Sequence, residues 1–276
     1  MNKELITEIQ NSDLETLIEV LSKVKEIGGD ALFEAVLERD QMNAKKLIQM
    51  GVDVNFVKYN GWTLLMHAVS DGQKEIAQIL IDGGSRIDMQ NHAGWTALML
   101  AAYEGQKEIA QILIDKGANL DIQEKDGWTA LMLAVDCKRK DIVRRLLQSG
   151  ANINMQEAAG WTALMIASQE NSKKEIVQTL IDAGANLDIQ DKEGKTALMI
   201  AIERKNPVIV QELIENGADV FIKDNEGIDA YNLAMIKGNL EMARMIQEAV
   251  KEGLLKRKVA SQQVLMAQNS GRQNGI

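Results

Sequence analysis

The chain has very little cysteine, proline or histidine. Its 276 residues include one cysteine, one proline and two histidines. A single cysteine, Cys137, excludes a disulfide within the chain, and we therefore expect a reducing, cytoplasmic setting. His67 and His92 do not combine with a serine or cysteine in any pattern typical of nucleophilic catalysis. No zinc-ligand spacing and no phosphate-binding glycine loop occur. We predict a protein that is not an enzyme and has no metal, no cofactor and no small-molecule substrate.

Long apolar runs and basic charge are also scarce. No stretch approaches the roughly 18 apolar residues of a membrane helix, and residues 1–9 lack the apolar core of a signal peptide. The net charge is −9, and residues 253–276 contain four basic residues and no acid, so the rest of the chain carries 27 basic and 40 acidic side chains, a net charge of −13. Such a body repels phosphates and anionic lipids. We expect no nucleic-acid partner and no membrane partner.

The dominant feature that the sequence does have is a tandem repeat. Glycines recur with a near-constant spacing of 33 residues, at Gly61, Gly94, Gly127, Gly160, Gly194 and Gly227. A second set of turn glycines, including Gly84, Gly117 and Gly150, recurs in step with the first. The period therefore covers a whole structural unit, which indicates a repeat architecture.

One unit, residues 94–127, predicts two helices and a loop. Thr96 is a good N-cap, and apolar residues follow it at helical spacing until Gly105 ends the first helix. The next segment has an apolar face and a charged face, and Gly117 supplies the left-handed residue that closes a helix. The end of the unit is rich in Asn, Asp and Gly, which predicts a projecting turn.

These units resemble the ankyrin repeat, whose family pattern is Gly-x-Thr-Pro-Leu-His-x-Ala followed by Glu-Ile-Val-x-x-Leu-Leu-x-x-Gly-Ala-Asp-Val-Asn. The resemblance covers about four fifths of the chain. It implies an all-α fold, an ankyrin-type α-solenoid of stacked helix-turn-helix repeats with projecting β-turn or hairpin loops. It also implies a non-catalytic scaffold for protein–protein interaction.

Two departures from the family pattern are consistent along the chain. The family proline is replaced by alanine or leucine, and the family histidine is replaced by methionine, at Met66, Met99, Met132, Met165 and Met199. In the family that histidine joins a hydrogen-bond network between repeats. We therefore expect these methionines to be buried, with the repeats stacking through soft thioether packing instead.

The two ends of the repeat region are atypical, as expected where a terminal repeat has one face against water. We predict N-terminal capping helices at 1–29, an atypical first repeat at 30–60, five regular repeats at 61–226, a C-terminal capping repeat at 227–252, and a basic, flexible tail at 253–276. This organisation amounts to eight helix pairs, and we expect a monomer.

Every tryptophan occupies one repeat position, directly after the opening glycine: Trp62, Trp95, Trp128 and Trp161. The family resemblance implies that this position, the loop tips and the end of the first helix face the concave side of the repeats. The other residues predicted to line that protein-binding face are Tyr59, Asp71, Tyr103, Glu104, Asp136, Glu170 and Glu203. A surface of indoles and acids indicates a protein or peptide partner with apolar and basic side chains.

Alternative interpretations stay open at this point. The indoles can instead be packing residues inherited from a duplicated ancestral repeat, since Gln73–Ile81 is identical in sequence to Gln106–Ile114. The loop tips have diverged while the tryptophans have not, which favours binding. A bacterial or symbiont effector, delivered into a host cell to bind a host protein, is the second candidate function. A regulatory subunit of an enzyme is the third.

Overall fold

The structure, a computed structural model, describes residues 28–252. Contacts divide the chain into two compact units, Met1–Ala151 and Asn152–Ile276. The predicted capping helices before residue 28 and the predicted tail from residue 253 lie outside the described residues.

In the first unit the helices form consecutive pairs, as the repeat pattern predicts. They are α1 (28–37), α2 (Gln41–Gln49), α3 (Leu64–Ser70), α4 (Lys74–Asp82), α5 (Ala97–Glu104), α6 (Lys107–Asp115), α7 (Ala130–Asp136) and α8 (Lys140–Gln148). Helices α3 and α4, α5 and α6, and α7 and α8 contact each other as pairs. The pairs also stack, because α3, α5 and α7 contact one another in order, as do α2, α4, α6 and α8.

The second unit repeats this arrangement. Helix α9 pairs with α10 and α11 pairs with α12, while α9 stacks on α11, α11 on α13, and α10 on α12. Gly160 and Gly194 are 34 residues apart, one more than the usual spacing, and this repeat contains a short 3-10 helix, Asn171–Lys173, before α10. The helices of this unit are α9 (Ala163–Ser168), α10 (Lys174–Asp182), α11 (Ala197–Glu203), α12 (Pro207–Glu215), α13 (Ala230–Ile236) and α14 (240–252).

A threonine N-cap begins the first helix of each regular repeat. Its hydroxyl accepts the N–H of the residue three positions later at 3.1 to 3.4 Å. This bond satisfies one of the backbone donors that a helix start leaves unpaired. The role predicted for Thr96 is thereby confirmed, and Asp229 performs the same role for α13. The caps of the regular repeats are Thr63, Thr96, Thr129, Thr162 and Thr196.

The methionines that replace the family histidine are buried, as predicted, each with 1 % of its surface exposed. They are more than packing residues. The sulfur atoms of Met99 and Met165 accept the backbone N–H of Thr96 and Thr162 at 3.4 Å. In these two repeats the thioether therefore also satisfies a second donor at the helix start.

Loop backbones of consecutive repeats lie directly against each other within each unit. Gly94 has φ +88, and a Cβ added there would lie 2.9 Å from the Cα of Glu124 and from the N of Lys125. The N–H of Lys125 donates to the carbonyl of Ala93 at 3.3 Å. Glycine is needed here both for its backbone conformation and for its lack of a side chain. Hairpin pairing in the described loops is limited to single bridges, Val57–Thr63 and Lys223–Asp229.

A row of glutamines, which the sequence analysis missed, also connects the loops. The side-chain N–H₂ of Gln90 donates to the carbonyl of Gly94 at 2.7 Å and to that of Gln123, in the next repeat, at 3.0 Å. In the second unit Gln156 and Gln190 make the same pair of bonds. Thioether packing is therefore not the sole replacement for the family's histidine network, because an amide network in the loops connects the repeats as well.

The close approach at Gly94 gives the first testable prediction. Gly117 also has a positive φ, +84, but has no atom within 4 Å of an added Cβ. Gly117→Ala should cost about 1 to 2 kcal/mol of unfolding free energy, the cost of placing alanine in a left-handed conformation. Gly94→Ala should cost more than ~2 kcal/mol, because two backbones must also separate. Urea unfolding of both variants measures the difference, and equal costs would contradict the close approach.

A second prediction concerns the buried methionines. Met132→Ala, in the first helix of a central repeat, should lower the unfolding free energy by about 2 to 5 kcal/mol, because it leaves a void in a closely packed core. Met132→His, which restores the family residue alone, should bring no gain, since the neighbouring repeats also lack the histidine. Thermal unfolding measures both changes. A clear rise in melting temperature for the histidine variant would show that its hydrogen-bond partners are still in place.

Candidate protein-binding surface

All four tryptophans lie half-buried at the junction between a loop and the first helix that follows it. Their backbone is fixed by the loop. The N–H of Trp95 donates to the side-chain oxygen of Asn91 at 3.0 Å, and the N–H of Trp128 donates to Glu124 at 3.0 Å. In the second unit the N–H of Trp161 donates to Glu157 at 2.9 Å. The loop therefore holds the position of the indole through its main chain, which leaves part of the ring exposed.

Two of the indoles also contact an aromatic ring from the helix that follows them. Trp95 and Tyr103 pack edge to face with centroids 5.6 Å apart, and Tyr103 is 46 % exposed. Trp62 and His67 lie 5.1 Å apart and are tilted by 47°. Such ring contacts restrict the indoles without removing them from water.

Three of the tryptophans occupy successive repeats of the first unit. Their loops are joined by main-chain hydrogen bonds, of which the one from His92 to Asn60 is 2.9 Å long. The tryptophans of this unit and the acids at the ends of its first helices are called the tryptophan–acid surface. Its members are Trp62, Trp95, Trp128, Asp71, Glu104 and Asp136. The two tyrosines predicted for the same site, Tyr59 and Tyr103, lie at its loop and helix positions respectively and are both exposed.

The acids of this surface are exposed and lie at helix C-termini. Glu104 and Asp136 are the last residues of α5 and α7, and Asp71 is the C-cap of α3. A carboxylate is unfavourable there, because the helix dipole places partial negative charge at the same end. Among residues 28–252 no lysine or arginine forms an ion pair with Asp71 or Glu104. Helix stability therefore does not explain Asp71 and Glu104.

The acids predicted for the second unit are in a different environment. Glu203 is half-buried and forms ion pairs with Lys195 at 3.0 Å and Lys237 at 3.5 Å. The carboxylates of Glu193 and Glu203 raise the pKa of Lys195, which stands at the repeat position of the tryptophans. Glu170 accepts the hydroxyl of Ser172 at 3.0 Å and lies 3.5 Å from the buried ammonium of Lys173. The acidic row expected from the sequence is thus neutralised at Glu203.

Two residues beside Trp62 were not included in the predicted site. Phe33, in α1, packs edge to face against His67 with centroids 5.0 Å apart. Burial lowers the pKa of His67 below its ordinary value of 6.5, and Lys58 lowers it further, while Asp71 opposes both. The sequence held a signal for Phe33, which stands at the position that methionine occupies in the regular repeats.

Other kinds of site find no support in the described part of the chain. Residues 28–252 contain no group of three or more His, Cys, Asp or Glu side chains that could hold a metal ion. None of the helices described there is both long and apolar enough to cross a membrane.

Comparisons with known proteins agree with the repeat architecture. A family profile described as "Ankyrin repeats (3 copies)" matches residues 5–91, 32–124, 81–157, 119–191 and 164–254. Among solved structures, the chain is similar to the ankyrin repeat domain of Bcl-3, described as a unique member of the IkappaB protein family. The sequences are 26 % identical, the match covers 78 % of this chain and 97 % of that one, and the TM-score is 0.72. No curated protein matches the chain.

The lowered pKa of His67 predicts a pH dependence of stability. The unfolded state binds the proton more tightly than the folded state does, so the stability gained by keeping His67 neutral is complete above about pH 6.5 and is lost as the pH falls towards the lower folded pKa. Urea unfolding at pH 7.5 and 5.5 should show a larger loss for the wild type than for His67→Gln. Equal losses in the two proteins would contradict this assignment.

Proposed function

The chain belongs to the ankyrin repeat family, whose domains generally are non-catalytic scaffolds for protein–protein interaction, and on that premise we propose that it binds a protein or peptide partner on the tryptophan–acid surface. The observation that carries the proposal is the half-buried state of the indoles at one repeat position. Partly exposed indoles that recur at one position leave apolar area open to water, and an apolar surface of this kind commonly marks an interaction site.

The aromatic residues support a binding role through their energetics. Tryptophan and tyrosine are the residues most enriched among those that dominate binding energy at protein interfaces. Trp95 is fixed by Asn91 and Tyr103 before any partner arrives, so little conformational entropy remains to be lost on binding. The half-exposed rings of Trp62, Trp95 and Trp128 offer apolar area together with faces that attract cations.

The acids support a partner with basic side chains. Asp71, Glu104 and Asp136 end successive first helices, where the helix dipole disfavours them. Basic groups on a partner would relieve that repulsion and would also steer its approach. The proposed partner therefore combines apolar residues with lysine or arginine.

The second unit carries a tryptophan and an acid at the corresponding repeat positions. Trp161 and Glu170 stand at the same repeat positions and have similar exposure to their counterparts. We propose that they also contact partner residues. Glu203 is proposed to contribute least, because Lys195 and Lys237 already neutralise it.

Truncation of the central indoles tests the proposal. Trp95→Ala and Trp128→Ala should each weaken binding of a partner captured from source-cell lysate by about 2 kcal/mol or more. The unfolding free energy should fall by much less than the ~3 to 5 kcal/mol expected for a fully buried aromatic residue. Isothermal titration and urea unfolding on the same samples give both quantities.

Phe221→Ala is a matched control, since Phe221 is a 65 % exposed aromatic residue at another place in the chain. It should leave binding unchanged. If Trp95→Ala unfolds the protein, the indoles are packing residues and the partner binds elsewhere. Equal weakening of binding by Phe221→Ala would show that the loss of affinity is not specific to the tryptophan–acid surface.

A charge reversal tests the acidic part of the surface. Asp136→Lys should mainly slow association, and it should reduce the dependence of the association rate on salt, because it removes a steering charge at the rim. Stopped-flow association at several salt concentrations measures both effects. The same reversal at Glu226, an exposed acid in a loop of the second unit, is the control and should have a smaller effect.

A further inference from the structure

A pocket lies at the Trp62 end of the tryptophan–acid surface. It has a volume of about 240 Å³ and is lined by Phe33, Tyr59, Asn60, Trp62 and His67. Phe33 comes from α1 and His67 from α3, while Tyr59 and Asn60 belong to the 3-10 turn Tyr59–Gly61 and Trp62 directly follows it. Pockets that take drug-sized ligands have volumes of roughly 300 to 1,000 Å³. This pocket is suited instead to a single amino-acid side chain.

The turn that forms one wall differs from the corresponding turn of the other described repeats. There, a loop side chain accepts the N–H of the residue after the glycine, as Asn91 does for Trp95. Here the N–H of Trp62 donates to the carbonyl of Tyr59 at 3.3 Å, and Asn60 has φ +59. Tyr59 is left 83 % exposed, so the ring stands in water above the pocket. An exposed tyrosine of this kind offers apolar area to an incoming group.

The charged groups beside the pocket indicate whether it binds an apolar group or a cation. Several aromatic rings around a pocket commonly bind a cation. Here the ammonium of Lys58 already lies over the Phe33 ring, 4.4 Å from its centroid, and forms an ion pair with Asp30 at 2.9 Å. The face of the Phe33 ring is therefore already occupied by an ammonium and is not available to a second cation.

His67, which lines the pocket together with the polar side chain of Asn60, is compatible with an apolar side chain in the pocket. His67 packs between the rings of Phe33 and Trp62 at 5.0 and 5.1 Å, and burial lowers its pKa, so the imidazole is neutral at pH 7. The rings of Phe33, Tyr59 and Trp62 thus form the apolar part of the lining, beside His67 and Asn60 and with the Lys58–Asp30 ion pair at the Phe33 side.

We propose that this pocket is the anchor site of the tryptophan–acid surface and takes one bulky apolar side chain of the size of leucine, methionine or phenylalanine from the partner. The assignment rests on the proposed protein-binding function for its biological meaning. The basic residues of the same partner then pair with the acids that follow at Asp71 and Glu104, outside the pocket. Hydrophobic burial in the pocket supplies affinity, and the acids supply orientation.

The test uses small probes on the full-length, ¹⁵N-labelled chain, and so needs no identified partner. N-acetyl-leucine amide should shift the Trp62 indole signal in a saturable way, with a dissociation constant on the order of millimolar for so small a probe. N-acetyl-alanine amide and tetramethylammonium should bind at least fivefold more weakly. Tyr59→Ala should weaken the leucine probe at least fivefold. Met42→Ala, at a 70 % exposed residue of α2 outside the pocket, should leave it unchanged.

A second variant tests the reason for the selectivity. Lys58→Met removes the resident ammonium and leaves Asp30, so tetramethylammonium should bind this variant at least fivefold more tightly than it binds the wild type. Stronger binding of tetramethylammonium than of the leucine probe to the wild type would overturn the proposal, as would a leucine-probe response that survives Tyr59→Ala. No gain in Lys58→Met would overturn the role of Lys58 in excluding cations.

These outcomes are separable from those of the proposed function. Trp95→Ala should leave the leucine probe's affinity unchanged, because Trp95 does not line the pocket. If the probe binds at Trp62 while the central indole variants keep full partner affinity, the pocket stands and the larger surface does not. If the central indoles matter and no probe binds, the surface stands and the anchor site does not.

Discussion

The close contact between loop backbones is the constraint on which the rest of each unit depends. At Gly94 the main chain of one loop lies so near the main chain of the next that no side chain fits between them. The same approach recurs in the second unit, where a Cβ on Gly160 would lie 2.9 Å from the N of Lys192. This contact sets the spacing of the loops. It therefore also fixes the position of the residue that directly follows the glycine. The tryptophans therefore occupy equivalent positions in successive repeats without any direct bond between their rings.

Stability and recognition are separated within one repeat. Thr129 and Met132 satisfy and cover the start of a first helix and are almost completely buried. The other end of the same helix is Asp136, an exposed acid at a position that the helix dipole disfavours. The buried start of the helix supplies most of its contribution to folding stability. The side chain at the exposed end is therefore less constrained by folding. A surface of this kind can acquire binding residues with little cost to the fold.

The replacement of the family histidine by methionine changes how the repeats are connected. The thioether fills the core and, in Met99 and Met165, accepts one backbone N–H. It cannot donate a hydrogen bond, so it cannot bind a carbonyl of an adjacent repeat as the N–H of an imidazole or an amide can. Gln90, Gln156 and Gln190 do so in the loops, through side chains that donate to two carbonyls in adjacent repeats. Side-chain amides in the loops thus supply polar contacts between adjacent repeats that the methionines cannot supply.

The sequence by itself determined the repeat, the helix pairs, the threonine caps and the burial of the methionines, because each of these follows from local chemistry repeated at a fixed period. It also placed the tryptophans at one repeat position. Only the tertiary structure decided which acids keep their charge exposed, since Lys195, at the start of the same repeat, and Lys237, in the next repeat, come within ion-pair distance of Glu203 only in the folded chain. The same holds for the pocket at Trp62, because Phe33 and His67 belong to different repeats and meet only when the helices stack. Periodicity predicts what is equivalent between repeats, whereas contacts between unlike residues depend on the packing that brings them together.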